Sequence, residues 1–253
     1  QASAVSYLYY ADRIYQINLA IAGIAVGTVA LPELAKTLKL RKLDEASKVQ
    51  NKSIELCLLL SIPACFGLII ASEEITNALF GYGSFSKGDV ELTAKALIYF
   101  GYGVPAFALI KVLSNFFFAR DNTKLPFYIS FLSVVLNVSI SLIFFERVGF
   151  LIIPLATSIA TWTAVFIYLV LLSKHDYFKF KTFLIVNVIK IITSALIMVL
   201  FLHFGINFFE DNLIYDNYYK SFYLIMLIVF AAIIFLIISN LLGVLKIKNF
   251  KTN

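Results

Sequence analysis

The sequence predicts an all-α, polytopic membrane protein with seven transmembrane helices. Three observations predict it: 61% of the 253 residues are hydrophobic while 14% are charged, the mean hydropathy is +0.90, and the apolar residues gather into seven runs. A soluble chain of this size cannot hide so much apolar surface, so the solvent for most of these side chains is lipid. Each run is close to the roughly 20 apolar residues that a helix needs to cross about 30 Å of hydrocarbon.

The first run, 14–32, is approached through Asp12 and Arg13, and its helix is expected to begin earlier. Tyr9, Arg13, Gln16, Ala20, Gly23 and Gly27 recur at helical spacing and share one face, polar at one end and small at the other. Gly23 and Gly27 read as a close-packing pair. An arginine within a span costs on the order of 2.5 to 3.5 kcal/mol, and Asp12 beside it in sequence faces another direction. Arg13 therefore either snorkels to the interface or meets an anion in a cavity, for which its planar fork is suited.

The stretch 36–52 sets Leu38, Leu40, Leu43, Ala46 and Val49 among six basic residues and predicts a helix lying on the membrane interface. Runs two and three, 54–72 and 96–119, contain Pro63 and Pro105, where kinks are expected. Lys111 in the third shares a face with Ala108 and Asn115 and is either an anchor or a cavity cation. Run four, 125–145, carries Ser130, Ser133, Asn137 and Ser141 as a polar stripe, and run five, 148–172, adds Thr157 and Thr161 after Pro154. Those oxygens either bond between helices or hold a coupling cation. Run six, 182–205, places Lys190 with Asn187 and Ser194. The seventh, 221–245, is nearly pure hydrocarbon and is expected to face lipid and carry no chemistry.

Of the 21 Lys and Arg residues, 14 lie in segments 33–53, 120–124, 173–181 and 246–253, and four in 73–95, 146–147 and 206–220. The positive-inside rule makes the first set cytoplasmic, with the N-terminus outside and the C-terminus inside. Topogenic charges at helix ends account for most of the net +6, so nucleic acid is not an expected partner. An odd number of spans, an outside N-terminus and no targeting signal are expected of a piece of a longer protein.

No catalytic constellation emerges. Cys57 and Cys65 read as small buried hydrophobes; His175 and His203 fall on opposite sides and assemble no metal site. FGYGSF at 80–85 reads as an outer turn without nucleotide-site spacing. Glu73 and Glu74 are adjacent and cannot flank a substrate.

Three strings go beyond composition: YYADRIYQINLAIAGIAVGTVALPELAK at 9–36, IPACFGLIIASEEITNALFGYGSF at 62–85 and GVPAFALIKVLSNFFFARDNTKLP at 103–126. In this order they resemble the MurJ (MviN) family of lipid II flippases, part of the multidrug, oligosaccharidyl-lipid and polysaccharide exporter superfamily. The likeness runs from residue 7 to about 172. Asn18 departs from a usual proline, which predicts a straighter first helix; Ala20 departs from a usual glycine, and ARDNTKLP is one residue short.

The resemblance implies about half of a fourteen-helix flippase fold, helices eight to fourteen, with five core helices in 1–173 and two additional ones in 174–253. It implies translocation of lipid-linked peptidoglycan precursor across the bacterial cytoplasmic (inner) membrane by alternating access, in the service of cell wall biogenesis and cell shape, without catalysis. Arg13 matches the family's cavity arginine, expected on the substrate diphosphate, with Gln16 and Lys111 as further substrate contacts. Asn137 and Thr157 match polar positions of a sodium site in some members; Ser141 stands where such a site can have an acidic ligand. No cofactor is implied, with sodium or the membrane potential as coupling force. The expected partners are the lipid bilayer and the missing N-terminal half, helices one to seven. The alternatives are another lipid-linked oligosaccharide exporter of the superfamily, or an inactive remnant or scaffold from a split or truncated gene.

Overall fold

The computed structural model describes residues 2–245, without the side chains of 2, 3, 18, 19, 21, 24 and 25. The basic segment 246–253 and the side chain of Asn18 lie outside the described residues. The elements are α1 (Ala2–Leu19), a π turn (Ala20–Ile24), α2 (Ala25–Lys39), α3 (Leu43–Ile70), α4 (Ser72–Phe80), α5 (Lys87–Gly101), α6 (Val104–Phe118), α7 (Lys124–Val148), a 3-10 turn (Gly149–Leu151), α8 (Ile152–Lys174), α9 (Thr182–Phe208), α10 (Glu210–Leu213) and α11 (Lys220–Leu241).

Five of the described segments are long and apolar enough to cross a membrane: 43–70, 87–118, 124–174, 182–208 and 220–241. The third holds two crossings, because the chain reverses at Gly149, whose φ of 72° suits glycine, and α7 packs back along α8. The first predicted run is helical throughout but divided by the π turn, so neither half qualifies alone. The α form persists through position 18 and gives way at Ala20, so the regular helix expected from the loss of proline does not continue.

The basic end of the bundle is made of tight helix stops. α2, α6 and α8 each finish with a left-handed residue, Arg41, Asp121 and Asp176, and with a long backbone bond reaching back over it: Lys42 N to Thr37 O, Asn122 N to Phe117 O and Tyr177 N to Leu172 O. This is the Schellman stop. It overturns the interfacial helix expected over 36–52: the turn at Arg41 divides the stretch, and α3 starts at Leu43 with Asp44 and Glu45 in its first turn, where the helix dipole favours them. At the opposite end Ser86 and Asp89 form a capping box that starts α5.

The helices pack as α1 on α5, α2 on α3 and α6, α3 on α6 and α9, α8 on α6 and α7, and α9 on α11. Phe116, Phe117, Tyr168, Leu172 and Phe178 centre the core at the basic end; Tyr15, Leu97, Phe100 and Val104 centre it toward the other. A third cluster, around Leu59, Ile191, Leu202 and Leu227, joins α3 to the terminal helices. The last helix, expected to face lipid, leaves most of its surface exposed but buries Leu224, Leu227, Ala231 and Phe235. α7 is the more exposed helix, with Pro126 and Ile129 as its buried residues.

Pro63 sits inside α3, which is helical on both sides of it. Pro105 does not act as expected: it lies in the first turn of α6, where its missing N–H costs nothing. The break falls just before it, at Gly101–Gly103. Gly103 N turns to Phe100 O at 2.9 Å, and Tyr99 O is taken by Ser158 Oγ at 2.6 Å. One turn along α8, Trp162 Nε1 donates to Tyr102 O at 2.9 Å. A Cβ at Gly103 would lie 2.7 Å from Ser158 Oγ, so glycine there lets α8 reach the break.

Gly103→Ala should therefore displace Ser158 and lower stability by about 1 to 3 kcal/mol. In thermal unfolding, adding Ser158→Ala should cost less in the Gly103→Ala background than in the wild type, because the crowded hydroxyl is gone. Strictly additive losses would contradict the assignment.

Candidate functional site

The polar face of α1 is organised as two pairs one turn apart. Arg13 Nη2 donates to Tyr9 Oη at 3.0 Å, and the guanidinium lies 4.7 Å from the Tyr9 ring centroid. Gln16 Nε2 donates to Asp12. Asp12 is thus engaged by the amide, and among the described residues no ion pair involves Arg13. Its charge is exposed and steadied by an aromatic face. Such a group takes a planar or tetrahedral oxyanion.

A cleft of about 450 Å³ beside this face is lined by Asp12, Tyr15, Gln16, Phe107 and Thr157, with Ala20 at the π turn. A second cleft, of about 540 Å³, lies beyond the turn and contains Lys111, Asn115, Thr28 and Ser130 over a floor of Gly23 and Gly27. Asn115 Nδ2 donates to Gly27 O at 2.8 Å, and a Cβ at Gly27 would come within 3.1 Å of that nitrogen. Gly27 therefore serves close approach. Lys111 is exposed into the second cleft. The structure thus separates the expected substrate contacts, with Gln16 lining one cleft and Lys111 the other, on opposite sides of the π turn.

Asn137 and Thr157 do meet. Asn137 Nδ2 donates to Thr157 Oγ1 at 2.8 Å; Thr157 donates to Ile153 O at 2.7 Å; Ser141 Oγ lies 3.4 Å from Asn137 Oδ1. This closed set of neutral groups joins α7 to α8.

A third cleft, of about 440 Å³, is apolar. Ile14 and Ile17 of α1 form one side; Leu60 and Pro63 of α3, Met198 of α9 and Phe235 of α11 form the rest. Ile17 stands one turn from Arg13 on α1, so charge and groove adjoin.

Several polar groups were not picked out in the sequence. Glu55, 2% exposed, is bonded to Lys52 Nζ at 2.6 Å and Asn187 Nδ2 at 3.0 Å. Gln50 donates to Tyr177 O and Asn51 to Lys179 O, while Arg120 donates to Tyr177 O and stacks over its ring. Together they strap the 175–181 linker to the bundle. The available signal was an amide pair directly before an apolar run. Lys220, almost fully buried, left no signal, because its partners Asn77 and Gly81 are remote in sequence.

A family model described as "Lipid II flippase MurJ" matches residues 1–228. Among curated proteins, the chain is 42% identical over 159 residues to a "Probable lipid II flippase MurJ" of Rickettsia prowazekii, covering 63% of this chain and 31% of that protein. With the Rhizobium meliloti protein of the same description it shares 37% over 204 residues, covering 81% and 38%; with that of Haemophilus influenzae, 30% over 251 residues, covering 96% and 49%. A solved structure, "Lipid II flippase MurJ, inward closed conformation", superposes with a TM-score of 0.77 at 28% identity, over 94% of this chain and 47% of that one. The chain spans about a third to a half of the length of these relatives.

A double-mutant cycle with Asn137→Ala and Thr157→Ala should return a coupling near 0.6 kcal/mol, and at most about 1.7 kcal/mol, as interhelical hydrogen bonds in membranes do. Unfolding midpoints that simply add would remove the pair as a clamp between α7 and α8.

Proposed function

The chain belongs to the lipid II flippase MurJ family, and from that premise we propose that it is the C-terminal half of a transporter that moves lipid-linked peptidoglycan precursor across the cytoplasmic membrane. The observation that carries this reading is Arg13: an exposed cation on α1, held by Tyr9, in no ion pair among the described residues, and one turn from Gln16, which lines one cleft, and from Ile17, which lines the apolar groove. A lipid diphosphate has that combination of parts. The guanidinium takes the diphosphate oxygens, and the groove between α1 and the terminal helices takes the start of the hydrocarbon tail.

Lys111 supplies a second anion contact on the far side of the π turn. A diphosphate passing along α1 and α2 would meet first one cation and then the other. Charge placement supports setting the lysine-rich end in the cytoplasm, which puts Lys111 nearer the entry side. The membrane potential is the coupling force this arrangement favours. Carrying negative charge outward across an inside-negative membrane yields roughly 2.3 kcal/mol per charge per 100 mV, whereas the Asn137, Thr157 and Ser141 set offers a sodium ion no compensating charge. The chemistry is translocation, with no bond made or broken.

In the complete protein, Arg13→Ala should reduce lipid II translocation on the order of 10- to 100-fold, the worth of a hydrogen bond to a charged group, and abolish growth complementation. Wild-type complementation by that variant would sink the anion contact. Residues 1–253 expressed alone should restore no translocation, and recovery would contradict the half-transporter reading. Comparing binding of lipid II with that of other undecaprenyl-linked glycans separates this substrate from those of related exporters.

A further inference from the structure

At the end of the bundle away from the basic stops, the first residue of α11 carries its ammonium into an enclosed site. Lys220 is 1% exposed. Its Nζ donates to Gly81 O at 2.6 Å, Tyr215 O at 2.7 Å and Asn77 Oδ1 at 3.1 Å, which occupies all three N–H donors. The ring centroids of Tyr82 and Tyr215 lie 4.2 and 4.6 Å away, within cation–π range. Asp216, the nearest carboxylate in sequence, is 3.3 Å from Lys87, and no ion pair of Lys220 occurs among the described residues.

The cage is constructed around this charge. Asn77 Nδ2 donates to Leu213 O at 2.9 Å, which turns the amide oxygen toward the ammonium. A Cβ at Gly81 would overlap that oxygen and lie 2.6 Å from Asn77 O, so a side chain at 81 would expel the carboxamide. Tyr82 Oη and Ser221 Oγ are 2.8 Å apart, Ser221 donates to Ala78 O at 2.8 Å, and Tyr215 Oη donates to Phe85 O. Three segments, α4 with its loop, the 214–219 loop and the start of α11, meet on one positive charge.

We propose that this cage is a monovalent-cation site filled by the protein's own tethered ammonium, and that the cation clasps α10 and α11 to α4. Carbonyl and carboxamide oxygens with ring faces are the groups that replace the hydration shell of potassium or an alkylammonium. A buried cation in no ion pair among the described residues is retained because the cage supplies what water would. The clasp fixes one end of the apolar groove, to which Ile75 of α4 and Ile228 of α11 both contribute. The proposal stands apart from the transport reading, and its readout is stability.

Lys220→Ala deletes three carbons and the nitrogen, so propylammonium is the matching probe. In the complete purified protein this variant should lose roughly 5 °C or more in unfolding midpoint, and propylammonium chloride should restore part of the loss while leaving the wild type unchanged. Lys220→Met, which refills the volume without charge, should stay low and gain nothing. Wild-type stability of Lys220→Met, or equal recovery with n-propanol, would overturn the proposal. Should Lys220→Ala yield no folded protein, Asn77→Asp and Asn77→Ala decide: the aspartate should unfold at the higher midpoint, and equal midpoints would overturn the cation's role.

Discussion

Where lipid or packed helices exclude water, a backbone carbonyl or amide released by a helix break must find its partner within the protein, and the rest of this structure depends on how those groups are satisfied. At the α5–α6 break, Ser158 and Trp162 take the oxygens of Tyr99 and Tyr102. At the basic end, Gln50, Asn51 and Arg120 take those of the 175–181 linker. At the other end Lys220 takes those of Gly81 and Tyr215. Each irregular segment is thereby fastened to a helix remote in sequence, and these fastenings set the relative position of the core helices and the terminal pair.

Against that background the polar side chains divide into two groups. Glu55, Asn51, Gln50, Ser158 and Lys220 are buried and consumed by internal bonds. Arg13 and Lys111 are exposed, Lys111 into a cleft, and among the described residues neither side chain bonds to a backbone break. Polar groups in a membrane span are costly; the first group meets that cost through packing, and the second is left to be explained by something that enters. The π turn between the two clefts is consistent with this division, since π turns often mark functional positions in otherwise regular helices.

Much of the fold was legible because lipid imposes a length. The apolar runs 125–145 and 182–205 coincide closely with α7 and α9, the run 54–72 covers the second part of α3, and Gly149 marks the reversal between α7 and α8. Less legible were features that depend on what packs alongside. Arg41 adopts a left-handed conformation that its residue type disfavours, so the division of 36–52 carried no local signal. Pro105 suggested a kink, whereas the glycines before it make the break because Ser158 fits against Gly103. Arg13 stood out by its cost alone, but helical spacing did not reveal that Gln16 and Lys111 line different clefts. Lys220 was invisible as a buried group, because its cage is assembled from α4 and two loops.

The central claim is that Arg13 engages the diphosphate of a lipid-linked glycan. Native mass spectrometry of the complete protein with lipid II, comparing wild type with Arg13→Gln, tests it most directly. The account predicts binding weaker by about 10-fold or more in the variant, with no comparable change for a neutral lipid of the same chain length. Equal affinity for lipid II in the two proteins would contradict it.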